Sequence, residues 1–251
     1  QGEANGLVLR YRNSMVLKGM APNTINGRLT SIRSLVKLAR TLGLISWSLD
    51  VQPVKSSGMR DTSGPDLKGV SRMLDHAHDN ALNVLGARDY AILRLLFDLA
   101  LRRIEITRLN VDDYQPGRLS IWGKGKNEHE KEPRTLPPQT ETAIKNYLIL
   151  RGSVDGPLFR SRKSGRLSGE QVWRIVKGIG VASGLDVWPH ALRHSSVSVA
   201  MDATDGNIEK VQIHARHRDP ETTMIYRDRR NDVAGEISRL VADTADKRSR
   251  E

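Results

Sequence analysis

Cysteine is absent from this chain of 251 residues. That excludes disulfides and cysteine-ligated zinc, and it fits a reducing compartment. No apolar run approaches the ~20 residues that span a bilayer, and the first residues show no basic n-region followed by an apolar h-region. There is no repeat and no extended low-complexity tract. Together these absences predict a cytoplasmic protein without a membrane partner.

What is present is basic and able to form a core. Apolar residues make up 38% of the chain, and 40 Lys and Arg against 29 Asp and Glu give a formal net charge of +11. With a pI near 10.1 and the excess spread over many segments, a polyanionic partner is expected, most often nucleic acid. Charge alone does not separate that reading from a merely basic soluble protein.

Residues 23–42 carry a helical pattern. Asn23 or Thr24 stands at the cap, and Ile25, Leu29, Ile32, Val36 and Ala39 recur at helical spacing, with Leu35, Leu38 and Leu42 widening the apolar face. Arg33, Lys37 and Arg40 share its flank, either as a solvated face or as a surface that meets phosphates. The segment "QPVKSSGMRDTSGPD" offers little to bury and reads as a linker over residues 52–65. Beyond it, residues 88–101 form a largely apolar helix that is buried over most of its surface. Residues 117–138 predict a β-hairpin: Leu119 and Ile121 on one side and Arg134 to Leu136 on the other flank a Gly- and Lys-rich tip. Asn207 starts one helix, and Asp219–Pro220 starts another with proline at its first position. A last helix is expected over about 231–242, followed by the basic tail "DKRSRE". The class is mainly α with a small antiparallel β-sheet (α+β).

The densest chemistry lies in "WPHALRHSS", residues 188–196. On a helix His190 and Arg193 are i and i+3 and share a face, and His194 at i+4 from His190 can join them. A histidine pair at that spacing can bind zinc, but the H-E-x-x-H pattern also needs a glutamate. Here Ala, Leu and Arg intervene, and an arginine beside a metal repels it. A clamp for an anion suits these residues better. Arginine presents a planar fork that matches two phosphate oxygens, and a histidine one turn away can donate to a third. The plain alternative is a basic helix surface.

A clamp predicts more cations and a reactive group elsewhere. Arg102 sits at the end of the apolar helix in "LALRRIE", where an ion pair with Asp98 is its ordinary explanation. "WGKGK" puts Lys124 on the hairpin, with Lys126 beside it, and "HARHRDPETTMIYRD" adds His217 and Tyr226. Tyr226 taken alone reads more readily as a half-buried core tyrosine.

In order and spacing these residues resemble the tyrosine recombinase/integrase family, which includes phage integrases and Xer-type site-specific DNA recombinases. The family's G-L-R-x-x-E-like segment corresponds to "ALRRIE", giving Arg102 and Glu105; its G-K-G-like turn to "GKGK", giving Lys124; its H-x-L-R-H to "HALRH", giving His190 and Arg193. Its His or Trp nine residues before the tyrosine corresponds to His217 before Tyr226. The chain departs from the pattern at Ala100, where glycine is usual, and at "ARH", where "LGH" is usual. The Arg-to-Glu spacing favours Arg102 over Arg103 as the family arginine.

The resemblance implies the rest. Residues 1–51 would be a partial helical core-binding domain lacking its first helices, because too few residues precede 23 for the usual four. Residues 52–65 would be the linker, 66–228 the catalytic domain, and 229–251 a C-terminal helix and basic tail that contacts a neighbouring protomer. Tyr226 would attack a DNA phosphodiester and form a 3′-phosphotyrosyl bond, releasing a 5′-hydroxyl without metal, ATP or other cofactor. Arg102 and Arg193 would hold the non-bridging oxygens, and Lys124 would protonate the leaving oxygen. His190 would assist proton transfer, His217 would donate to the phosphate, and Glu105 would orient a neighbour. Arg33, Lys37, Arg40 and Lys126 would contact the DNA backbone. The expected partners are double-stranded DNA, further copies in a homo-tetramer on paired sites, and accessory DNA-bending or directionality proteins, with the protein at the nucleoid. A type IB topoisomerase-like relaxing enzyme and a catalytically silent DNA-binding protein of the same fold are the alternatives.

Overall fold

The computed structural model describes residues 1–55, 64–122, 130–152, 155–163, 165–217 and 219–228. The chain separates into two compact units, Gln1–Asp61 and Thr62–Glu251.

The first unit is built on two helices, α1 (Gly2–Leu17) and α2 (Pro22–Thr41). Gly19 turns the chain between them at φ 66, in the left-handed region that glycine enters at no steric cost. Helix α2 begins one residue earlier than its sequence suggests. Pro22 takes the first helical position with Ala21 before it, so neither Asn23 nor Thr24 caps the helix; proline's fixed φ and missing N–H suit that place. Met15, Ile25, Leu29 and Val51 form a small core. The predicted wider apolar face is not covered: Leu35, Leu38 and Leu42 are all more than half exposed. The start of the expected linker is held on this unit. The Asn26 side chain accepts from Val54 N at 2.8 Å and donates to Val54 O at 2.9 Å. Arg12 reaches Gln52 O at 3.1 Å.

The second unit contains α3 (Leu67–Asp79), α4 (Val84–Asp98), α5 (Arg103–Arg108), a 3₁₀ turn (Val111–Asp113), β1 (Tyr114–Gln115), β2 (Arg118–Trp122), β3 (Lys131–Thr135), α6 (Pro138–Arg151), α7 (Gly169–Ala182), α8 (Pro189–Ala203), α9 (Ile208–Ala215) and α10 (Glu221–Asp228). The fold is mostly helical with one three-stranded antiparallel sheet, order β1-β2-β3. Helix α4 is central. Ala91, Ile92, Leu93, Leu95 and Leu96 are all fully buried, because α3, α5, α6, α7 and α8 pack around it. Each such Leu or Ile contributes roughly 1.5–3 kcal/mol by leaving water. The helix stops at Asp98, short of the 101 expected, because the backbone reverses at Ala100 with φ 49.

The hairpin forms as its alternation predicts. Leu119 and Ile121 of β2 point into the core opposite Arg134 and Glu132 of β3. Its tip, with Lys124 and Lys126, lies outside the described residues, as does the helix expected over 231–242. At the N-terminal edge of this unit Gly64 lies against α8, where a Cβ would come within 1.9 Å of Ala191 O. The neighbouring carbonyl of Pro65 accepts from Ser195 Oγ at 2.6 Å.

Asp98 is not the partner of Arg102. It pairs with Arg94 one helical turn back, at 2.8 Å, and accepts from the Thr140 hydroxyl. The turn at Ala100 carries Arg102 off the helix, so the i−4 geometry that the sequence suggested is lost. Burial raises the Asp98 pKa, against the opposing effects of Thr140 and Arg94. Thr140→Val removes a buried donor from this carboxylate and should lower stability by about 1–3 kcal/mol in urea unfolding; an unchanged midpoint and slope would contradict the assignment.

Candidate active site

Helix α8 presents the clamp residues from its first two turns. Trp188 is in extended conformation before it, and Pro189 sets its first position. His190 is exposed at the mouth, whereas Arg193, one turn on, is 3% exposed. A guanidinium so deeply buried needs partners. Two backbone carbonyls supply them: Nη1 donates to Ala100 O and Nη2 to Ala215 O.

Both carbonyls belong to unusual turns. Ala100 (φ 49) and Arg216 (φ 53, ψ 47) are non-glycine residues in the left-handed region, at the ends of α4 and α9. Such a conformation costs roughly 1–2 kcal/mol per residue. These are the two positions where the sequence departs from glycine.

Arg102 stands at the start of α5 and binds Glu105 twice. Its backbone N donates to Glu105 Oε2 at 2.7 Å and its Nη1 to Oε1 at 3.0 Å, while Nη2 reaches Arg216 O at 3.2 Å. Glu105, 6% exposed, also receives Arg216 Nη2 on Oε2 at 2.7 Å. Two guanidiniums therefore bind one carboxylate, and its charge also acts on Arg193. A cleft of about 390 Å³, bordered by Arg102, Arg103, Trp173, Trp188, His190 and Arg193, opens beside them.

Helix α10 brings Tyr226 to the same place. Its ring packs in an apolar cluster with Val197, Met201, Val211 and Ala215, which is the core role expected of a tyrosine. Its hydroxyl, however, shares a hydrogen bond with His194 Nδ1. The two rings lie 5.3 Å apart, and His194 stands edge-on to His190 at 4.5 Å. His217 is fixed through Nδ1 to the Thr223 hydroxyl at 2.9 Å. Ser196 and His214 pair at 3.0 Å on the next turn of α8.

The electrostatics reflect crowded cations. Burial pulls the Arg193 guanidinium down to about 9, with Arg102 and Arg216 pushing the same way and Glu105 opposing. Partial desolvation at the mouth of the cleft likewise lowers the His190 pKa, helped by Arg193 and Arg102. Burial brings His217 to about 4, with Arg193, Arg102, His190 and Arg216 adding to the effect. The lowered values keep both imidazoles neutral near neutral pH, beside the guanidinium of Arg193. Such a site suits an anion.

Of the residues singled out by sequence, the structure gathers Arg102, Glu105, His190, Arg193, His217 and Tyr226 into one site. Lys124 lies outside the described residues. Arg33, on the first unit, donates to Val51 O, while Lys37 and Arg40 are exposed. Sequence reading put His194 on the face of His190 but gave it no role, and it missed Arg216 as a member of the site, although the arginine of "ARH" was in view.

Residues 64–232 match the model of the phage integrase family. The tyrosine recombinase slr0733 of Synechocystis is 38% identical over 96% of this chain and 79% of its own length. The chain belongs to the phage integrase family. Tyrosine recombinase XerC of Alcanivorax borkumensis is 31% identical over 85% of this chain and 71% of its own. Such relatives make the chain a tyrosine-type site-specific recombinase. In fold it resembles the XerH site-specific recombinase in its post-cleavage complex with palindromic difH (TM-score 0.72, 18% identity, 92% of this chain and 71% of that one). It also resembles a lambda integrase dimer bound to a COC′ core site (TM-score 0.66, 16% identity, 91% and 65%).

The depressed His217 gives a pH prediction with a definite sign. The unfolded imidazole takes up its proton near 6.5 and the folded one near 4, so the unfolded state binds more protons between those values. The stability contribution of neutral His217 is full above 6.5 and is lost as the pH falls toward 4. In melts across that window Tm should fall less steeply for His217→Gln than for the wild type; equal slopes would contradict the depressed pKa.

Proposed function

We propose that this recombinase cuts and rejoins double-stranded DNA through Tyr226, with the scissile phosphate seated against Arg102 and Arg193. The observation that carries this reading is the convergence of the Tyr226 hydroxyl, from α10, with the arginines at the heads of α5 and α8. The tyrosine oxygen attacks phosphorus and forms a 3′-phosphotyrosyl bond as the bond to the 5′-oxygen breaks. The released strand leaves as a 5′-hydroxyl, protonated by Lys124. The phosphodiester energy is kept in the covalent bond, so rejoining by the reverse attack needs no ATP. Arg102 and Arg193 take the charge of the non-bridging oxygens, in the place a metal clamp fills in other phosphoryl transfers. His217 donates to a phosphate oxygen and His190 assists proton transfer. His194 holds the tyrosine hydroxyl beside the clamp.

The two units divide the work. Residues 1–51 grip the DNA backbone, with Lys37 and Arg40 exposed for phosphate contact and Arg33 beside them; such contacts position the duplex without reading its sequence. Lys126 adds a further phosphate contact. Residues 52–65 connect to the catalytic unit, 66–228, and residues 229–251 contact a neighbouring protomer. DNA in the XerH and lambda integrase structures supports duplex DNA as the partner here. Exchange between paired sites calls for four copies, with DNA-bending or directionality proteins as accessories. The protein then resides with the DNA in the cytoplasm.

A nicked duplex carrying a candidate site, incubated with the protein in EDTA, tests the reading on a denaturing gel. The wild type should form a covalent protein–DNA adduct and Tyr226→Phe should form none. An adduct in both would place the nucleophile elsewhere. Tight DNA binding with no adduct in either would favour a silent DNA-binding protein.

A further inference from the structure

We propose that Arg216 is a positioning residue of the active site, one that this chain has in place of a conformationally free turn. The inference rests on the reading of Arg102 and Arg193 as the phosphate clamp. Arg216 follows the last residue of α9 and adopts φ 53, ψ 47, a conformation that a side chain ordinarily makes unfavourable. Nothing about ending a helix requires arginine there; glycine would do so without strain.

The side chain shows what the strain is kept for. It is 10% exposed and lies across the site. Its Nη2 donates to Glu105 Oε2 at 2.7 Å and approaches Ala100 O at 3.4 Å. Ala100 O is also the acceptor for Arg193, and Glu105 is the carboxylate that orients Arg102. The Arg216 carbonyl accepts from Arg102 Nη2. One residue thus touches the anchor of each clamp arginine and directly precedes His217. Its Nε and Nη1 are buried without a hydrogen-bond partner among the described residues, so its charge is only partly answered. Burial lowers its pKa, with Glu105 opposing and Arg102 adding to the effect.

Two consequences follow from this placement. Arg216 locks Glu105, and through it the direction in which Arg102 points. It also adds a third positive charge behind the two that meet the phosphate, so the site favours a dianionic transition state more than a cleft with two arginines would.

Arg216→Gly tests this, because it removes the side chain and relieves the turn. Adduct formation on nicked duplex should slow by about tenfold to a hundredfold, while DNA affinity and Tm stay near wild type. The decisive readout is a duplex with a charge-neutral methylphosphonate at the scissile position. There the gap between wild type and Arg216→Gly should narrow severalfold, since the transition state then carries one negative charge instead of two. A defect equal on both substrates would assign Arg216 a merely structural role, and no defect on the phosphodiester would equally overturn the proposal. If Arg216→Gly melts early, Arg216→Lys decides by the same comparison: it keeps the charge but lacks the fork that binds Glu105. Wild type and Tyr226→Phe run in parallel keep the two readings apart, because failure of the wild type to form an adduct sinks the active-site reading itself.

Discussion

The second unit depends on burying one guanidinium. Arg193 sits under the first turns of α8 with almost no water around it, tied to the carbonyls of Ala100 and Ala215. Those acceptors exist because two helices end in left-handed turns, one after α4 and one after α9. Remove either turn and the buried charge loses one of its two carbonyl partners, which costs about 1–3 kcal/mol. The arginine in turn pins α8 to the ends of α4 and α9. The turns that close these two helices therefore also supply the carbonyls that hold the charge.

The arrangement stores positive charge. Arg102 and Arg216 bind Glu105, whose charge also acts on Arg193, and the pKa values of His190 and His217 are lowered. In water such crowding would disperse. Here it is kept by backbone carbonyls and by packing against α4, so the reorganisation that a phosphate would otherwise impose is already complete. The tyrosine reaches this centre by a different route. Its ring is anchored as a core residue among Val197, Met201, Val211 and Ala215, and only the hydroxyl, held by His194, enters the polar region.

Much of this was legible because it is local. The period of "HALRH" puts His190 and Arg193 on one face of any helix, and alternation around Leu119 and Ile121 gives a hairpin in any context. The apolar run before Arg102 had to be buried. What was not legible depends on partners far along the chain. Nothing near Arg216 announces Glu105, 111 residues away, and nothing near His194 announces Tyr226, 32 residues on. Helix α1 escaped notice because its apolar residues form no stripe: Leu7 and Leu17 are exposed and only Met15 is buried. The end of α4 was placed too late for a related reason, since a left-handed alanine has no signature in composition. Leu35, Leu38 and Leu42 show the converse, a helical stripe that the periodicity marks as buried and the described structure leaves open.

The central claim is that the buried arginines hold a phosphate within reach of one tyrosine hydroxyl. Proteolysis of the covalent adduct formed in EDTA, followed by mass spectrometry of the peptide that retains nucleotide, tests it most directly. The account predicts a nucleotide 3′-phosphate on Tyr226 and on no other residue. Nucleotide on any other side chain, or linked through a 5′-phosphate, would contradict it.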